Sequence, residues 1–404
     1  MITVAEALGR ILTDTAPLGV REISLTDASG RFAGEDIFAS QPLPSFDFSG
    51  MDGYAIHADD LASREWLHVT GEQPAGPRRV LSVTPGNCVR VFTGAPLPNG
   101  TGAVVMQEDI TREGEQMRFT PVARMPEYHA GEFIRRRGSD LAAGQVIVRQ
   151  GQRLTAGRIG LLASQGGGSL LVGRRPSVAI LSTGSELRAI GETLSADGEI
   201  YNSNGPLLAA MIVESRLAET VSIHVVRDEL PAMKSILAGL LVEHDVVMIV
   251  GGVSVGDHDL VKPALGELGV TTDFWKVAVK PGKPFLYGRR AATQIFGLPG
   301  NPVSAFVTAF LFVLPALRKL AGAAEFGPME TRATLGVEWT NRDARPTYFR
   351  GNFDARSGVF LPLGLQESHA LHGLSMANAL LPVPPSTTIP AQGEVQILLF
   401  HAPE

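Results

Sequence analysis

Between residues 245 and 304, three Gly- and Pro-rich loops each follow directly on an apolar run. An apolar strand, a glycine-rich turn and a helix start together point backbone N–H groups at an anion. Two lysines and two aspartates lie among these loops, so the sequence predicts a site that holds a phosphate and suits a metal ion. The apolar runs, each with the loop that follows it, are 245–250 with 251–259, 274–279 with 280–284, and 294–298 with 299–302.

The bulk properties of the chain restrict its class. A length of 404 residues predicts roughly two to four domains. The net charge is −6 and the longest basic run is residues 135–137, which disfavours nucleic-acid binding because phosphate neutralisation needs a basic face. The single cysteine, Cys88, excludes an intrachain disulfide and a cysteine-based zinc site.

Neither the N-terminus nor the most apolar stretch of the chain indicates a membrane protein. The N-terminal residues lack the basic and apolar regions of a signal peptide. Residues 303–317 are too short to span a bilayer, which takes about 20 residues, and they contain Pro315. We expect this stretch to be a buried helix and the protein to be cytoplasmic.

The order of apolar patterns predicts an α/β multidomain fold. Residues 4–12 have helical spacing, and short β-like runs follow from Tyr54 to about residue 140. From Pro176 onward, apolar strands alternate with helices, which is typical of a doubly wound α/β domain. After Gly327 the pattern returns to short strands, as in a small closed sheet resembling a β-barrel.

These changes of pattern predict four parts. We assign residues 1–44 with 141–174 to an N-terminal mixed α/β part for linkage and dimerisation, and residues 45–140 to a small β domain. Residues 175–326 form the predicted α/β domain, and residues 327–404 the C-terminal β domain.

The candidate binding site lies in the α/β domain. Ligands of open α/β sheets bind outside the carboxyl ends of the strands, and the loops after Leu181, Val250 and Leu298 are such ends. One glycine-rich turn is usually a simple chain reversal, but three at one edge favour a ligand site. The candidate residues in these loops are Thr183, Gly184, Glu186, Gly251, Gly252, Ser254, Gly256, Pro299, Gly300, Asn301, Pro302 and Ser304.

Charged residues near these loops allow two interpretations each. Asp259 could bind a divalent ion together with a substrate phosphate, or it could cap the helix that starts near Leu260. Lys280 and Lys283 flank Pro281-Gly282 and could hold an oxyanion, or they could be solvated surface lysines. Elsewhere, Asp52 lies between small residues that let a ligand approach the backbone.

The ordered motifs resemble those of the MoeA family, the molybdopterin molybdenumtransferases, which include the C-terminal domain of gephyrin. The resemblance extends from the N-terminal helix to Asn378. The matching segments are Ser-Gly-Met-Asp-Gly-Tyr-Ala at 49–55, Phe-Thr-Gly-Ala-Pro-Leu-Pro at 92–98, Ile-Arg-Arg-Arg-Gly-Ser-Asp at 134–140, Leu-Ser-Thr-Gly-Ser-Glu-Leu at 181–187, Gly-Gly-Val-Ser-Val-Gly at 251–256, Lys-Pro-Gly-Lys-Pro at 280–284 and Gly-Leu-Pro-Gly-Asn-Pro-Val-Ser at 297–304.

The resemblance implies an elongated, four-part subunit that forms a homodimer and inserts molybdenum into a cofactor. Adenylylated molybdopterin and molybdate would be the substrates, AMP would be released, and Mg²⁺ would be required. Implied partners are the molybdopterin adenylyltransferase and downstream molybdoenzymes or their chaperones. The positions that match functional residues of the family are Asp52, Thr93, Asp140, Glu186, Asp228, Asp259, Lys276, Lys280, Arg350 and Ser368.

The resemblance also implies roles at these positions, and their charges are compatible with those roles. We expect Lys276 and Lys280 to hold oxyanions, with Lys283, Thr93, Arg350 and Ser368 also binding substrate. Glu186, Asp228 and Asp259 are the candidate magnesium ligands, and Asp52 and Asp140 would act from a neighbouring subunit.

Other classes of function stay open from the sequence. Gephyrin-like domains also serve as dimeric scaffolds, although a scaffold would not need the acids and lysines that stand here at family positions. The related adenylyltransferase shares the α/β domain but would not need the flanking domains. A related enzyme that uses tungstate is a third alternative, because tungstate and molybdate are tetrahedral dianions of nearly equal size.

Overall fold

The computed structural model describes residues 1–62, 65–77, 79–120, 128–253 and 260–401. The chain divides into two compact units. The first comprises residues 1–35, 149–160 and 167–404, and the second comprises residues 36–148 and 161–166. The finer four-part division stays a prediction.

A six-stranded sheet is the centre of the first unit. Its strand order is Thr220–Val226, Ser177–Thr183, Val246–Val250, Thr293–Leu298, Leu286–Arg290, Thr271–Trp275. The first four strands are parallel, and all five residues of Val246–Val250 are buried. The strands are continuously apolar because helices cover both faces of the sheet. The parallel strand order confirms the predicted doubly wound α/β core.

The far edge of this sheet is antiparallel, which the sequence analysis did not predict. Leu286–Arg290 pairs antiparallel with both Thr293–Leu298 and Thr271–Trp275. Only Ala291 and Ala292 separate Leu286–Arg290 from Thr293–Leu298. A connection this short can form only a hairpin. Ala291 accordingly has a positive φ of 51°.

Helices pack on both faces of the sheet and at the start of the chain. The predicted first helix is confirmed as Val4–Asp14, where Thr3 and Glu6 form a reciprocal capping box. The α-helices are Val4–Asp14, Ala156–Ser164, Asn204–Ser215, Leu230–Glu243, Val261–Glu267, Pro302–Thr308, Leu314–Leu320 and Leu371–Ser375. A π-helical segment, Ala309–Val313, joins the sixth to the seventh, and 3-10 turns occur at Leu25–Asp27, Ala58–Asp60 and Gln107–Asp109.

The predicted buried helix is confirmed in the segment Pro302–Leu320. This is the one helical segment among the described residues long and apolar enough to cross a membrane, but 89% of its apolar window is buried inside the protein. Phe285 packs 4.6 Å from the ring of Phe312, within the largest hydrophobic cluster of the chain. The segment is therefore a core helix beneath the central sheet.

A closed barrel forms the C-terminal part of the first unit, as expected. Its strands, in order around the barrel, are Met329–Leu335, Val359–Pro362, Thr347–Asp354, Ala379–Val383 and Glu394–Leu399. Inward residues alternate along the strands and form a separate apolar cluster that includes Leu335 and Phe360.

The second unit contains its own six-stranded sheet. The order is Ala103–Met106, Gly53–Ile56, Asn87–Val91, Leu67–Gln73, Gln116–Phe119, Ile110–Glu113. Short two-stranded ladders complete the two units: Val20–Ser24 with Ser169–Gly173, Ile37–Phe38 with Val146–Val148, Phe48–Ser49 with Ile134–Arg135, Leu187–Arg188 with Ile200–Tyr201, and Trp339–Asn341 with Thr387–Ile389.

Candidate active site

Three neighbouring parallel strands bring their following loops together at one edge of the central sheet. The N–H of Gly251 donates to the carbonyl oxygen of Leu298 at 3.1 Å. A Cβ added to Gly251 would lie 2.7 Å from the carbonyl oxygen of Thr183. Gly251 also has a φ of +91°, so both its conformation and its contacts require glycine. The convergence expected from the topology is present.

A pocket of about 830 Å³ opens where these loops meet. Predicted site residues from all three loops line this pocket, together with Asp228 from the loop after the strand Thr220–Val226. The predicted residues that line it are Thr183, Gly184, Glu186, Asp228, Gly251, Gly252, Pro299, Gly300, Asn301 and Pro302.

A second pocket, of about 500 Å³, adjoins the first. Pro284, Pro299 and Asn301 line both pockets, so these residues form a shared wall. The predicted residues in the second pocket are Lys280, Lys283, Pro299, Asn301, Ser304 and Ser368. The lysines therefore line the smaller pocket, whereas the glycines that follow the central strands line the larger pocket beside it.

Two acids line the larger pocket. The carboxylate of Glu186 folds over Gly184, where an added Cβ would lie 2.6 Å from Oε2. Asp228 accepts the N–H of Ser185 at 3.2 Å, and the hydroxyl of Ser185 accepts the N–H of Asp228 at 3.2 Å. This exchange fixes the strand end that carries Asp228 against the loop that carries Glu186.

The donor set of this pocket fits magnesium. Mg²⁺ is usually held by one or two carboxylates together with substrate phosphates and water. Glu186 and Asp228 supply two carboxylates, and the described residues contain no cluster of three or more candidate ligands. The third predicted ligand, Asp259, lies outside the described residues with Ser254 and Gly256, so the roles of these three stay predictions.

Two buried oxygen atoms at this pocket lack hydrogen-bond partners among the described residues: Oγ1 of Thr183 and Oδ1 of Asn204. Buried polar atoms are nearly always paired, so these atoms are suited to contact a bound ligand. The Nδ2 of Asn204 meanwhile donates to the carbonyl oxygen of Gly300 at 2.6 Å. Thr183 was predicted from the sequence, whereas Asn204 was not, because its only signal was its position at a helix start.

The lysines differ in their surroundings. Lys280 is exposed, and its Nζ lies 3.1 Å from Oδ2 of Asp343. Hydrogen bonds from Arg345, together with the one from Lys280, hold the pKa of Asp343 well below its usual range. Nζ of Lys276 lies 5.4 Å from the ring centroid of Trp275. Lys280 is therefore held in an ion pair at the smaller pocket, and its predicted role in binding an oxyanion stays a prediction.

Arg350 is buried, with 1% of its surface exposed. Its guanidinium donates to the carbonyl oxygens of Leu365, Glu367 and Ala370 at 2.8, 3.2 and 2.9 Å. The predicted substrate-binding role stays untested, but these bonds show what Arg350 holds in this structure, namely the loop that carries Ser368.

Asp52, Thr93 and Asp140 lie in the second unit. Oδ1 of Asp52 accepts both the backbone N–H and the hydroxyl of Thr93, at 2.7 and 2.8 Å. The backbone bond is the main reason that the pKa of Asp52 lies below its usual value. Asp140 is exposed, and its N–H donates to the carbonyl oxygen of Leu43 at 3.0 Å. Asp52 is thus an exposed, ionised carboxylate fixed in one orientation.

Family models cover nearly the whole chain. The MoeA N-terminal region (domains I and II) matches residues 2–166, the probable molybdopterin-binding domain matches residues 179–319, and the MoeA C-terminal region (domain IV) matches residues 332–400. With the fold, these matches define a multidomain α/β protein that contains a probable molybdopterin-binding domain. The chain belongs to the MoeA family.

Characterised relatives agree with this assignment. The chain is 36% identical over 381 residues to molybdopterin molybdenumtransferase 2 of Mycobacterium tuberculosis, with 92% of each chain covered. It is 33% identical to gephyrin of Dictyostelium discoideum over 95% of this chain and 60% of gephyrin. A crystal structure of the molybdopterin biosynthesis MoeA protein from Pyrococcus horikoshii OT3 superposes with a TM-score of 0.83, at 30% identity over 99% and 100% of the two chains.

Proposed function

We propose that this chain is a molybdopterin molybdenumtransferase of molybdenum cofactor biosynthesis. The observation that carries the proposal is the pair of adjoining pockets with a shared wall at Pro299 and Asn301. One pocket has glycine-rich loops and two acids, and the other has lysines. Two anionic substrates would therefore bind side by side, with their reacting ends meeting where the two pockets adjoin.

The larger pocket is the proposed site for adenylylated molybdopterin. Backbone N–H groups at the glycine-rich loops would approach its diphosphate, which is possible because Gly251 and Gly252 carry no side chains. The unpaired oxygens of Thr183 and Asn204 would hydrogen-bond to the ligand. The family model and the names of the relatives support molybdopterin as the substrate class.

The smaller pocket is the proposed site for molybdate. Lys280 and Lys283 would bind this dianion as point charges, and the Ser304 and Ser368 hydroxyls would supply directional hydrogen bonds. Asp343 holds the ammonium group of Lys280 at the pocket. Lys276 is not among the residues that line either pocket, and its role as an oxyanion ligand rests on its family position.

Magnesium would neutralise charge on the diphosphate that is cleaved. Glu186 and Asp228 would hold the ion, with Asp259 as a third predicted ligand. Asp52 and Asp140 would act from the neighbouring subunit of a homodimer, where the fixed orientation of Asp52 against Thr93 would place its carboxylate. The protein would work in the cytoplasm, between the adenylyltransferase that makes its substrate and the molybdoenzymes that receive the cofactor.

The test supplies purified protein with adenylylated molybdopterin, Mg²⁺ and molybdate. AMP release and activation of an apo-molybdoenzyme are measured in the same samples. Both signals, each dependent on molybdate, are expected. AMP without active cofactor contradicts the insertion step, and parallel samples with tungstate show whether that ion is the preferred substrate. Tight substrate binding with neither signal would instead support the scaffold alternative.

A further inference from the structure

Five arginines of the first unit, none of which lines either pocket, are linked through Gly30 and Glu219. They come from segments near residues 21–31, 153, 175 and 216, and their one carboxylate partner among the described residues is Glu219. The cluster consists of Arg21, Arg31, Arg153, Arg175 and Arg216. With Glu219 it carries a net charge of +4, in a chain whose overall charge is −6.

Gly30 lies at the centre of three of these side chains. A Cβ added there would lie 3.5 Å from Nη2 of Arg153 and 3.8 Å from Nη1 of Arg216. Nη2 of Arg175 donates to the carbonyl oxygen of Gly30 at 3.4 Å. Gly30 has a φ of +75°, so glycine is favoured there and leaves room between the guanidinium groups.

The cluster also contains a buried guanidinium group with one unsatisfied donor. Arg31 is only 9% exposed. Its Nη2 donates to Oε2 of Glu219 at 3.0 Å, but its buried Nη1 has no hydrogen-bond partner among the described residues. Oε1 of the same carboxylate accepts from Arg21 at 2.9 Å. One carboxylate is therefore shared by two arginines, and a buried N–H donor is left over.

Two features of the cluster are unfavourable to the folded state. Arg216 occupies the left-handed conformation at the end of the helix Asn204–Ser215, with a φ of 56°, where glycine is strongly favoured. Burial, followed by the charges of Arg31, Arg153 and Arg216, lowers the pKa of Arg175 to about 10. Unfavourable backbone geometry and like-charge repulsion are tolerated when another interaction compensates for them.

We propose that this arginine cluster is a binding site for a small tetrahedral oxyanion of the phosphate type, either free or as the end group of a phosphate ester. Guanidinium groups bind such oxygens with paired, directional N–H donors. The anion would supply the missing acceptor for Nη1 of Arg31 and reduce the repulsion around Gly30. Because the arginines come from segments near residues 21–31, 153 and 175–216, binding would stabilise the packing of the N-terminal segments on the α/β domain.

The first experiment measures the melting temperature and the dissociation constant for inorganic phosphate, against chloride at equal ionic strength to remove screening effects. Phosphate should raise the melting temperature and bind by calorimetry. Glycerol phosphate is titrated in parallel, because equal binding of the ester indicates recognition of the end group and weaker binding indicates a site for the free ion.

Two variants locate the binding. Arg216→Gly removes one guanidinium and relieves the left-handed backbone, so it should fold at least as well as the native chain. Arg31→Gln removes the buried donor. Each should raise the dissociation constant about tenfold or more, since a charge-assisted hydrogen bond contributes at least that factor. Arg332→Gln is the control, because this exposed arginine pairs with Glu394 in the barrel and carries the same charge.

The two proposed substrate pockets also attract oxyanions, so Lys280→Gln completes the set. Phosphate binding that survives Lys280→Gln and weakens in Arg31→Gln and Arg216→Gly supports the arginine site. Binding that survives both arginine variants and weakens in Lys280→Gln overturns the proposal and assigns the anion to the pockets. Absence of phosphate binding in the native chain also overturns it.

Discussion

The Nδ2 of Asn301 donates a hydrogen bond to Oγ of Ser368 at 2.9 Å. Asn301 belongs to the loop after the central strand Thr293–Leu298, and it lines both pockets. The carbonyl oxygen of Ser368 also accepts the N–H of Val303 at 3.1 Å. A loop of the C-terminal part is therefore joined to the wall between the two proposed substrates, and this connection makes Ser368 a testable part of the site.

Ser368→Ala should weaken molybdate binding while leaving the fold intact. The change removes one hydroxyl from the smaller pocket and the acceptor that orients Asn301, but it keeps the main-chain bond to Val303. We expect KM for molybdate to rise about tenfold, with unfolding free energy lower by about 1 kcal/mol, the usual net value of one hydrogen bond. Steady-state AMP release measures the first and denaturant unfolding the second. Ser357→Ala, a hydroxyl of an exposed turn, is the control, and an unchanged KM would contradict the role.

Arg350→Lys should destabilise the protein more than an ordinary conservative change. Lysine cannot reach the three carbonyl oxygens of Leu365, Glu367 and Ala370 with the same planar geometry. Loss of the buried bond to Ala370 costs about 1–3 kcal/mol, and loss of the two part-buried bonds costs less. We therefore expect a loss of roughly 3 kcal/mol in urea unfolding. Arg356→Lys changes an exposed arginine of the same barrel and should have little effect. Equal stabilities for the two variants would show that the Arg350 bonds do not hold the loop.

Asp228→Asn should impair the magnesium requirement specifically. The variant keeps an oxygen that can accept the N–H of Ser185 but lowers the negative charge of the larger pocket. We expect the Mg²⁺ concentration for half-maximal AMP release to rise about tenfold or more, because carboxylates are the preferred protein ligands of this ion. Asp197→Asn, an exposed acid outside both pockets, provides the comparison. If Asp228→Asn lowers the rate with no change in the Mg²⁺ dependence, Asp228 does not bind the metal.

Gly251→Ala should disrupt the point where the three loops meet. The new Cβ would lie 2.7 Å from the carbonyl oxygen of Thr183, at a residue with a φ of +91°. Gly269→Ala is a matched control, since Gly269 has a φ of +74° but no atom within 4 Å of the added Cβ. Both variants should lose about 1 kcal/mol from backbone strain, and only Gly251→Ala should also lose ligand binding. Calorimetric titration with adenylylated molybdopterin distinguishes them.

The sequence predicted the loops of the site better than the side chains that support them. Thr183, Gly251 and Gly300 follow apolar strands, and parallel strands place their carboxyl ends at one edge, so their convergence could be inferred from order alone. The acceptors of Arg350 could not be inferred from the sequence, because they are main-chain oxygens, which every residue carries. Asp343 was missed for a related reason: it lies more than sixty residues from Lys280 in sequence, and only the fold brings them to 3.1 Å.

Asp343 should make stability depend on pH in the acid range. Its folded-state pKa lies well below the ordinary value of 3.8 for this carboxyl group, mainly through hydrogen bonds from Arg345 and then from Lys280. The contribution is therefore fully present above the unfolded-state pKa, and it is lost progressively as pH falls below about 4, where the unfolded chain binds a proton that the folded chain does not. Unfolding free energies of the native chain and of Asp343→Asn should differ by a constant amount from pH 5 to 7 and converge towards pH 2.5.

Lys280→Gln removes one of the two cationic partners of Asp343, so it should reduce the pH-dependent part of the unfolding free energy without abolishing it. A difference that stays constant down to pH 2.5 would contradict the depressed pKa and with it the ion pair that places Lys280 at the oxyanion pocket.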